Sequence, residues 1–155
     1  MQRRAFVLAA LALAACGQDD VAVAQSKPPK KPLYPNETPE LRALIHRYAD
    51  FYEVPRDLVQ QVIVRESTHR PSARNGIYRG LMQLAPATAR SMGHTGSNDD
   101  LLDAETNLKF GVKYLRGAWL ISDGSYETAV KHYSRGYWDE AKRRGMLVET
   151  GLVPE

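Results

Sequence analysis

Glu66 is the residue of this chain best suited to chemistry, because it is a charged residue at a position where the helix pattern calls for an apolar one. Counting back three, four and seven residues reaches Ile63, Val62 and Val59, so on a helix Glu66 continues an apolar stripe. A carboxyl group that is partly removed from water has a raised pKa, as a general acid working near neutral pH requires. The alternative is a solvated glutamate at a fraying helix end, since most glutamates are exposed.

Short motifs follow Glu66 along the chain in a definite order. They are Glu66-Ser67, Gly80-Leu81-Met82-Gln83, Pro86-Ala87-Thr88-Ala89, Asn107, Gly111, Tyr114-Leu115 and Ala129-Val130-Lys131-His132-Tyr133. Each motif alone is a weak signal, but their order and spacing together are specific. From about Val54 to Gly145 the chain resembles the catalytic domain of lytic transglycosylases of the soluble-lytic-transglycosylase (SLT) type. The resemblance implies a lysozyme-like fold and peptidoglycan glycan strands as the substrate.

The resemblance also implies a mechanism in which one glutamate fills two roles. Glu66 protonates the oxygen between N-acetylmuramic acid and N-acetylglucosamine, and the same carboxylate then deprotonates the muramyl 6-hydroxyl, which closes a 1,6-anhydro ring. Most glycosidases use a second carboxylate instead. Asp99, Asp100 and Asp103 lie in a predicted loop and at a helix start, where capping is the expected role.

Four further residues receive substrate-binding roles by resemblance. Ser67 would hydrogen-bond near the reacting sugar, and Gly80 would let the backbone approach that sugar closely. Met82 and Gln83 would line the cleft. For Ser67 the alternative is an ordinary polar residue at a helix end, and for Met82 it is plain core packing.

Aromatic residues complete the predicted site. Tyr133 matches the family's tyrosine that hydrogen-bonds the catalytic carboxyl and helps to keep it protonated, although Ser134 stands where the family has asparagine. Tyr78, Tyr137 and Trp138 could stack on sugar faces or could simply be core aromatics.

No metal or cofactor is expected. His46, His69, His94 and His132 show no metal-ligand spacing, and the sequence has no glycine-rich phosphate loop. The Lys142-Arg143-Arg144 cluster resembles a nucleic-acid-binding patch, but it is better explained as a solvated helix end, so no nucleic-acid partner is expected.

Residues 1–15 have the pattern of an export signal, with Arg3-Arg4 before a short apolar run. That run is too short to span a bilayer permanently. It ends in a sequence resembling a lipobox, in which Cys16 would be lipidated and would anchor the protein to the outer membrane. The alternative is cleavage near Ala24, which would release a soluble periplasmic protein.

Composition predicts one domain behind a flexible segment. The chain has 155 residues and a formal charge of +3, which identifies no partner. Residues 16–37 are rich in proline and lysine and are expected to form a flexible tether, which leaves residues 38–155 for a catalytic domain that we expect to be monomeric.

Apolar stripes at helical spacing predict the elements that position these residues. Thr38 should cap a first helix that begins at Pro39, and Pro55 should open a second helix that carries Glu66 near its end. Pro71 prevents any continuation. The remaining segments are predicted as a short helix from Pro86, a loop over residues 93–100, and helices over residues 104–120, 126–134 and 137–144.

The expected class is mainly α. Asn75-Gly76 is a turn signal, so a small strand pair or an irregular loop is expected near residues 72–80. Two alternative functions stay open, a hydrolytic lysozyme- or chitinase-like muramidase and a non-catalytic peptidoglycan-binding lipoprotein. The presence of Glu66, Ser67 and Tyr133 together argues against the second.

Overall fold

The computed structural model describes residues 31–154. The predicted signal peptide 1–15, the predicted lipidation residue Cys16 and most of the predicted tether lie outside the described residues. No helix within residues 31–154 has both the length and the apolar composition needed to cross a bilayer. The elements in chain order are α1 Pro39–Phe51, α2 Arg56–Glu66, β1 Arg74–Asn75, β2 Tyr78–Arg79, α3 Pro86–Ser91, a 3₁₀ helix Asn98–Leu102, α4 Ala104–Leu120, α5 Tyr126–Arg135 and α6 Trp138–Arg144.

Side-chain caps fix the start of three helices. Thr38 accepts a hydrogen bond from the backbone N–H of Leu41 at 3.1 Å, and Pro39 occupies the first turn of α1. Asp103 caps α4 and Ser125 caps α5 in the same way. The mainly helical class, the predicted caps Thr38 and Ser125 and the single small strand pair are therefore confirmed.

The 3₁₀ helix occupies a segment that the sequence assigned in part to a loop. Ser97 and Asp100 form a capping box, in which the N–H of Ser97 donates to the Asp100 carboxylate at 2.9 Å and the N–H of Asp100 donates to Ser97 Oγ at 3.3 Å. This reciprocal bonding organises a segment too short and too polar to show a helical stripe. The expected capping roles of Asp100 and Asp103 are confirmed.

The core lies where α4 packs against α1, α3, α5 and the 3₁₀ helix, with α2 packed on α1. Burying each of its large aliphatic side chains contributes about 1.5–3 kcal/mol to folding. The fully buried side chains of this core include Ile45, Leu58, Val59, Val62, Ile63, Leu81, Met82, Leu108, Val112 and Leu115. The three residues that precede Glu66 on its stripe, Val59, Val62 and Ile63, are thus inside the core, which brings the Glu66 side chain to the boundary between core and solvent.

The last residues of the predicted tether pack on the domain. The Tyr34 ring stacks on His69 with centroids 5.2 Å apart, and Asn36 Nδ2 donates to the carbonyl of Thr68 at 2.9 Å. Glu37 is buried, and its carboxylate accepts a hydrogen bond from Gln60 Nε2 at 2.8 Å. Residues 34–37 therefore belong to the folded unit, and the prediction of a flexible tether as far as residue 37 is wrong for them. Composition could not predict this packing, because the packing depends on partners that are distant in sequence.

Candidate functional site

Helix α2 ends on Glu66, whose side chain is 24 % exposed. Burial raises the pKa of Glu66, while the Arg65 guanidinium, 3.8 Å from Glu66 Oε1, lowers it by a smaller amount. The attraction is weak because the Arg65 side chain is 56 % exposed and water screens the pair. The net effect is a carboxyl group that keeps its proton to higher pH than an ordinary glutamate, which suits a general acid.

Glu66 faces a cavity of about 320 Å³. Among the described residues that line this cavity, Glu66 alone has a carboxyl group. An adjoining cavity of about 250 Å³ shares four of the same wall residues, so we treat the two together as the Glu66 cleft. The residues around the first cavity are Arg65, Glu66, Asn75, Tyr78, Gln83, Tyr133 and Ser134.

The cleft brings together four of the predicted site residues, Glu66, Tyr78, Gln83 and Tyr133. Tyr78 is exposed and can present its ring to a ligand. Gln83 has a left-handed backbone with φ of +46°, and its Nε2 donates to the carbonyl of Gly80 at 2.9 Å. This bond fixes the Gln83 side chain at the cleft wall and leaves its amide oxygen for a ligand.

Ser67 follows Glu66 but points inward. It is buried, and its Oγ accepts a hydrogen bond from the N–H of Arg70 at 3.3 Å. It is not among the described residues that line the cleft. Its role in this structure is to tighten the turn after α2, as the alternative interpretation of Ser67 anticipated.

Two residues with left-handed backbones follow α2. Thr68 and His69 have φ of +51° and +59°, a conformation that costs non-glycine residues of order 1 kcal/mol or more each. Contacts on both residues offset this cost, because Asn36 donates to the Thr68 carbonyl and His69 Nε2 lies 2.6 Å from Gln60 Oε1. These contacts hold the chain reversal that lies directly behind Glu66.

Gly80 is required by the packing of the protein itself. Its φ is +76°, and a Cβ at this position would collide with the carbonyl oxygen of Leu101 and the side-chain amide of Asn107. The predicted reason, close approach to a sugar, is therefore unnecessary to explain the glycine.

Asn107 organises the loop from Arg79 to Met82, a role that sequence reasoning missed. Its Oδ1 accepts from the N–H of Met82 at 2.9 Å, and its Nδ2 donates to the carbonyls of Arg79 and Leu101 at 2.9 and 2.8 Å. The available signal was an amide side chain on the buried face of α4, where a polar group needs partners.

Met82 lies in the core, so the prediction that its side chain lines the cleft is wrong. The side chain is fully buried, and a Cβ on Gly111 would come within 2.7 Å of the Met82 sulfur. Met82 contributes to the site through its backbone, since its carbonyl accepts a hydrogen bond from the Tyr133 hydroxyl at 2.7 Å.

Tyr133 is buried beside Glu66. Desolvation raises the pKa of Tyr133 well above its usual range, and the nearby Glu66 charge raises it further. The predicted hydrogen bond to Glu66 is not formed among the described residues, because the hydroxyl proton goes to Met82. The phenolic oxygen keeps lone pairs that can accept a hydrogen bond from a protonated Glu66.

Tyr137 is separated from the site and Ser134 is only partly available to it. Tyr137 is buried and donates to the carbonyl of Tyr114 at 2.8 Å, so its ring belongs to the core and not to the described walls of the Glu66 cleft. Ser134, which stands in place of the family's asparagine, lines the cleft but donates its hydroxyl proton to the Val130 carbonyl at 2.9 Å. No group of three or more His, Cys, Asp and Glu residues able to hold a metal occurs within residues 31–154.

Comparison with known proteins identifies the family to which this chain is similar. The transglycosylase SLT domain family matches residues 43–145. The membrane-bound lytic murein transglycosylase F of Salmonella arizonae is 32% identical over 128 residues, which cover 77% of this chain and 24% of that protein. The protein of the same name from Desulfosudis oleivorans is 39% identical over 79 residues, covering 50% of this chain and 16% of its own length.

A differently named relative matches a smaller part of the chain. The soluble lytic murein transglycosylase of Escherichia coli K12 is 32% identical over 80 residues, which cover 47% of this chain and 12% of that protein. The chain thus spans about a quarter or less of the length of these curated relatives. No solved structure matches. With the family match covering residues 43–145 and Glu66 on the cleft, the chain belongs to the transglycosylase SLT domain family, and its helical fold is of the lysozyme-like kind.

Proposed function

We propose that this chain is a murein lytic transglycosylase that cleaves the β-1,4 bond between N-acetylmuramic acid and N-acetylglucosamine. The observation that carries the proposal is the half-buried Glu66, with its raised pKa, on the wall of a cleft at the end of α2. The names of the relatives, all murein transglycosylases, support the choice of substrate.

In the first proposed step, protonated Glu66 donates its proton to the bridging oxygen. The bond between this oxygen and C1 of the muramyl residue breaks, and N-acetylglucosamine leaves with a free 4-hydroxyl. The acetamido group of the muramyl residue stabilises the positive charge at C1.

In the second step, the Glu66 carboxylate removes the proton of the muramyl 6-hydroxyl. The 6-oxygen bonds to C1, which closes the 1,6-anhydro ring, and Glu66 recovers its proton. No water is consumed. Tyr133 assists by accepting a hydrogen bond from the protonated carboxyl, which favours the acid form before each turnover.

The three aspartates considered as a second carboxylate are engaged elsewhere, which supports a mechanism with one carboxyl group. A glycosidase of the paired type needs a second carboxylate about 5–10 Å from the first. Asp100 and Asp103 are used as helix caps, and Asp99 pairs with Arg74 at 3.0 Å. This favours the transglycosylase over a hydrolytic lysozyme- or chitinase-like muramidase.

The test replaces Glu66 by glutamine in the full chain and digests purified murein sacculi. Loss of the only proposed proton donor should reduce release of anhydromuropeptides by about 10²–10⁴-fold. Glu149→Gln is the matched control, because Glu149 is an exposed carboxylate outside the cleft and the variant should keep full activity. Undiminished anhydro product from Glu66→Gln would refute the assignment, and absence of product from the unaltered protein would favour the non-catalytic alternative.

We also propose that the protein is exported and anchored by a lipid on Cys16, with the outer membrane as its site. Support comes from the Arg3-Arg4 signal pattern, from the position of Cys16 directly after the apolar run, and from relatives named as membrane-bound. Mass spectrometry of the mature N-terminus should find diacylated or triacylated Cys16. An unmodified N-terminus at Gln25 would instead favour the soluble periplasmic form.

A further inference from the structure

Residues 34–37 pack against the part of the chain that carries Glu66, and we refer to them as the 34–37 segment. The Tyr34 ring stacks on the His69 ring with 13° between their planes. Asn36 Nδ2 donates to the carbonyl of Thr68 at 2.9 Å. Thr68 and His69 come soon after Glu66, so the 34–37 segment contacts the turn that continues directly from the proposed acid.

A row of buried hydrogen bonds ties the same segment to helix α2. Gln60 lies on α2, and its Nε2 donates to Glu37 Oε1 at 2.8 Å. Because a carboxylate can only accept, the amide oxygen of Gln60 is left to face His69, whose Nε2 lies 2.6 Å away and donates to it. Arg42 Nε on α1 donates to the same Glu37 oxygen at 3.0 Å. The row from Glu37 through Gln60 to His69 therefore joins the segment, the helix and the turn.

The Glu66 carboxyl has little else to fix its position. It forms no hydrogen bond with any group of residues 31–154, and its ion pair with the exposed Arg65 is weak at 3.8 Å. Its direction therefore depends on the backbone at the end of α2. There the N–H groups of Ser67 and Thr68 both donate to the carbonyl of Ile63 at 3.0 Å, so the last turn of the helix and the turn behind it share their hydrogen bonds.

The turn behind α2 needs outside contacts to keep its conformation. Thr68 and His69 have φ of +51° and +59°, which is unfavourable for residues that have a Cβ. Without the 34–37 segment both residues would be free to return to an ordinary backbone conformation, and the end of α2 would loosen. Such a local change would displace Glu66 on the cleft wall while the core of the domain stays packed.

Resting on the proposed function, we propose that the 34–37 segment positions Glu66, so that the enzyme is fully active only while this segment is packed on the turn behind α2. Tyr34 and Asn36 are then positioning residues, which act through His69 and Thr68 and not on the substrate. A displacement of about 1 Å at a reacting group is enough to lower a rate strongly. Because the predicted tether leads directly into the 34–37 segment, detachment of this segment from the domain would reduce the activity.

The first experiment measures kcat and KM for the release of anhydro ends from soluble murein glycan strands. It uses the full chain, at a temperature at which circular dichroism shows every variant to be folded. Tyr34→Leu removes the ring that stacks on His69. Asn36→Asp removes the donor to the Thr68 carbonyl but keeps a residue type that tolerates the φ of +63° at this position.

We expect kcat to fall by about 10-fold in Tyr34→Leu and by about 3-fold in Asn36→Asp. KM should stay within about twofold of the parent value, because the walls of the Glu66 cleft are unchanged. The conservative variant Tyr34→Phe keeps the stacked ring and should restore kcat. Phe51→Leu is the matched control, since it removes an exposed aromatic ring outside both the cleft and the 34–37 segment.

The second experiment needs no activity. NMR of the protein without substrate follows the side-chain carboxyl ¹³C signal of Glu66 and the backbone N–H signal of Ser67. Both signals should shift in Tyr34→Leu and, by less, in Asn36→Asp, and they should keep the parent positions in Phe51→Leu.

The two experiments separate this proposal from the proposed function. Variants that lose stability but keep the parent kcat would show that the 34–37 segment serves stability alone, and would overturn its positioning role. A lower kcat with unchanged Glu66 and Ser67 signals would also overturn it. If the parent protein releases no anhydro ends, the proposed function fails, and the NMR signals alone decide whether the segment positions Glu66: shifted signals support this role and unshifted signals overturn it.

Discussion

At the scale of single residues, the placement of Glu66 that suits it to catalysis lowers the stability of the fold at neutral pH. Its raised pKa means that the folded state binds a proton more tightly than the unfolded chain. The stabilisation from this residue is therefore fully present below its unfolded pKa and is lost as the pH rises through the folded value. At neutral pH the half-buried carboxylate opposes folding, which is common for groups placed for catalysis.

Glutamine at position 66 should consequently stabilise the fold while removing the activity. We expect Glu66→Gln to raise the free energy of unfolding by about 1 kcal/mol at pH 7, or a few degrees in Tm, because the amide has no charge to desolvate. The gain should shrink toward zero as the pH falls below about 4.5. Thermal unfolding followed by circular dichroism from pH 3 to pH 8 measures this. A Glu66→Gln variant less stable than the parent protein at pH 7 would contradict the raised pKa.

At the scale of elements, the cleft depends on short irregular segments more than on the helices that surround them. In the loop from Arg79 to Gln83, Asn107 bonds the carbonyl of Arg79 and the N–H of Met82. The turn after α2 is held by contacts with Asn36 and Gln60. Helical periodicity predicted α2 and α4 but contained no information on these segments, because their conformation follows from partners distant in sequence.

Two glycines in this region provide a matched pair for testing that dependence. Gly76 and Gly80 both have positive φ, but a Cβ on Gly76 meets nothing within 4 Å, whereas one on Gly80 collides with Leu101 and Asn107. Gly76→Ala should cost about 1 kcal/mol, from its backbone conformation alone. Gly80→Ala should cost about 1–3 kcal/mol more, and it should also reduce activity by displacing Gln83. Urea denaturation of both variants gives the difference in the free energy of unfolding. Equal losses of stability would mean that the loop adapts to a Cβ at position 80 at no additional cost.

At the scale of the whole molecule, the sequence predicted the architecture better than the site. The longer helices could be located because they have apolar stripes, and several helices have a recognisable start, such as Thr38 or Ser125. Glu66 could be chosen because its position continues such a stripe. The inward direction of Ser67 and Met82 could not be predicted, since a short polar or apolar residue next to a site can face either way until its neighbours are known. The packing of residues 34–37 on the domain could not be predicted for the same reason.

That docking should be visible in the acid stability of the protein. Burial alone would raise the pKa of Glu37, but hydrogen bonds from Arg42, Tyr34 and Gln60 outweigh it and lower the pKa from 4.5 to about 2. A lowered pKa stabilises the fold above the unfolded value, and this stabilisation is lost as the pH falls from about 4.5 to about 2. The linked free energy is roughly 3 kcal/mol.

Glu37→Gln is expected to lose most of this amount at pH 7 and to unfold with a flatter pH dependence between pH 4.5 and pH 2. Glu149→Gln, at an exposed position, should follow the parent protein throughout. Chemical denaturation at each pH gives the comparison. Parallel curves for Glu37→Gln and the parent protein would show that the pKa of Glu37 is not lowered in the folded state.

The most direct test of the central claim, that Glu66 activates the substrate's own 6-hydroxyl and not water, is digestion of murein in H₂¹⁸O followed by mass spectrometry of the fragments. The proposed mechanism predicts muramyl ends that are lighter than a hydrolysed end by one water and that contain no ¹⁸O. Reducing muramyl ends that carry one ¹⁸O atom at C1 would contradict it and would identify the enzyme as a hydrolase.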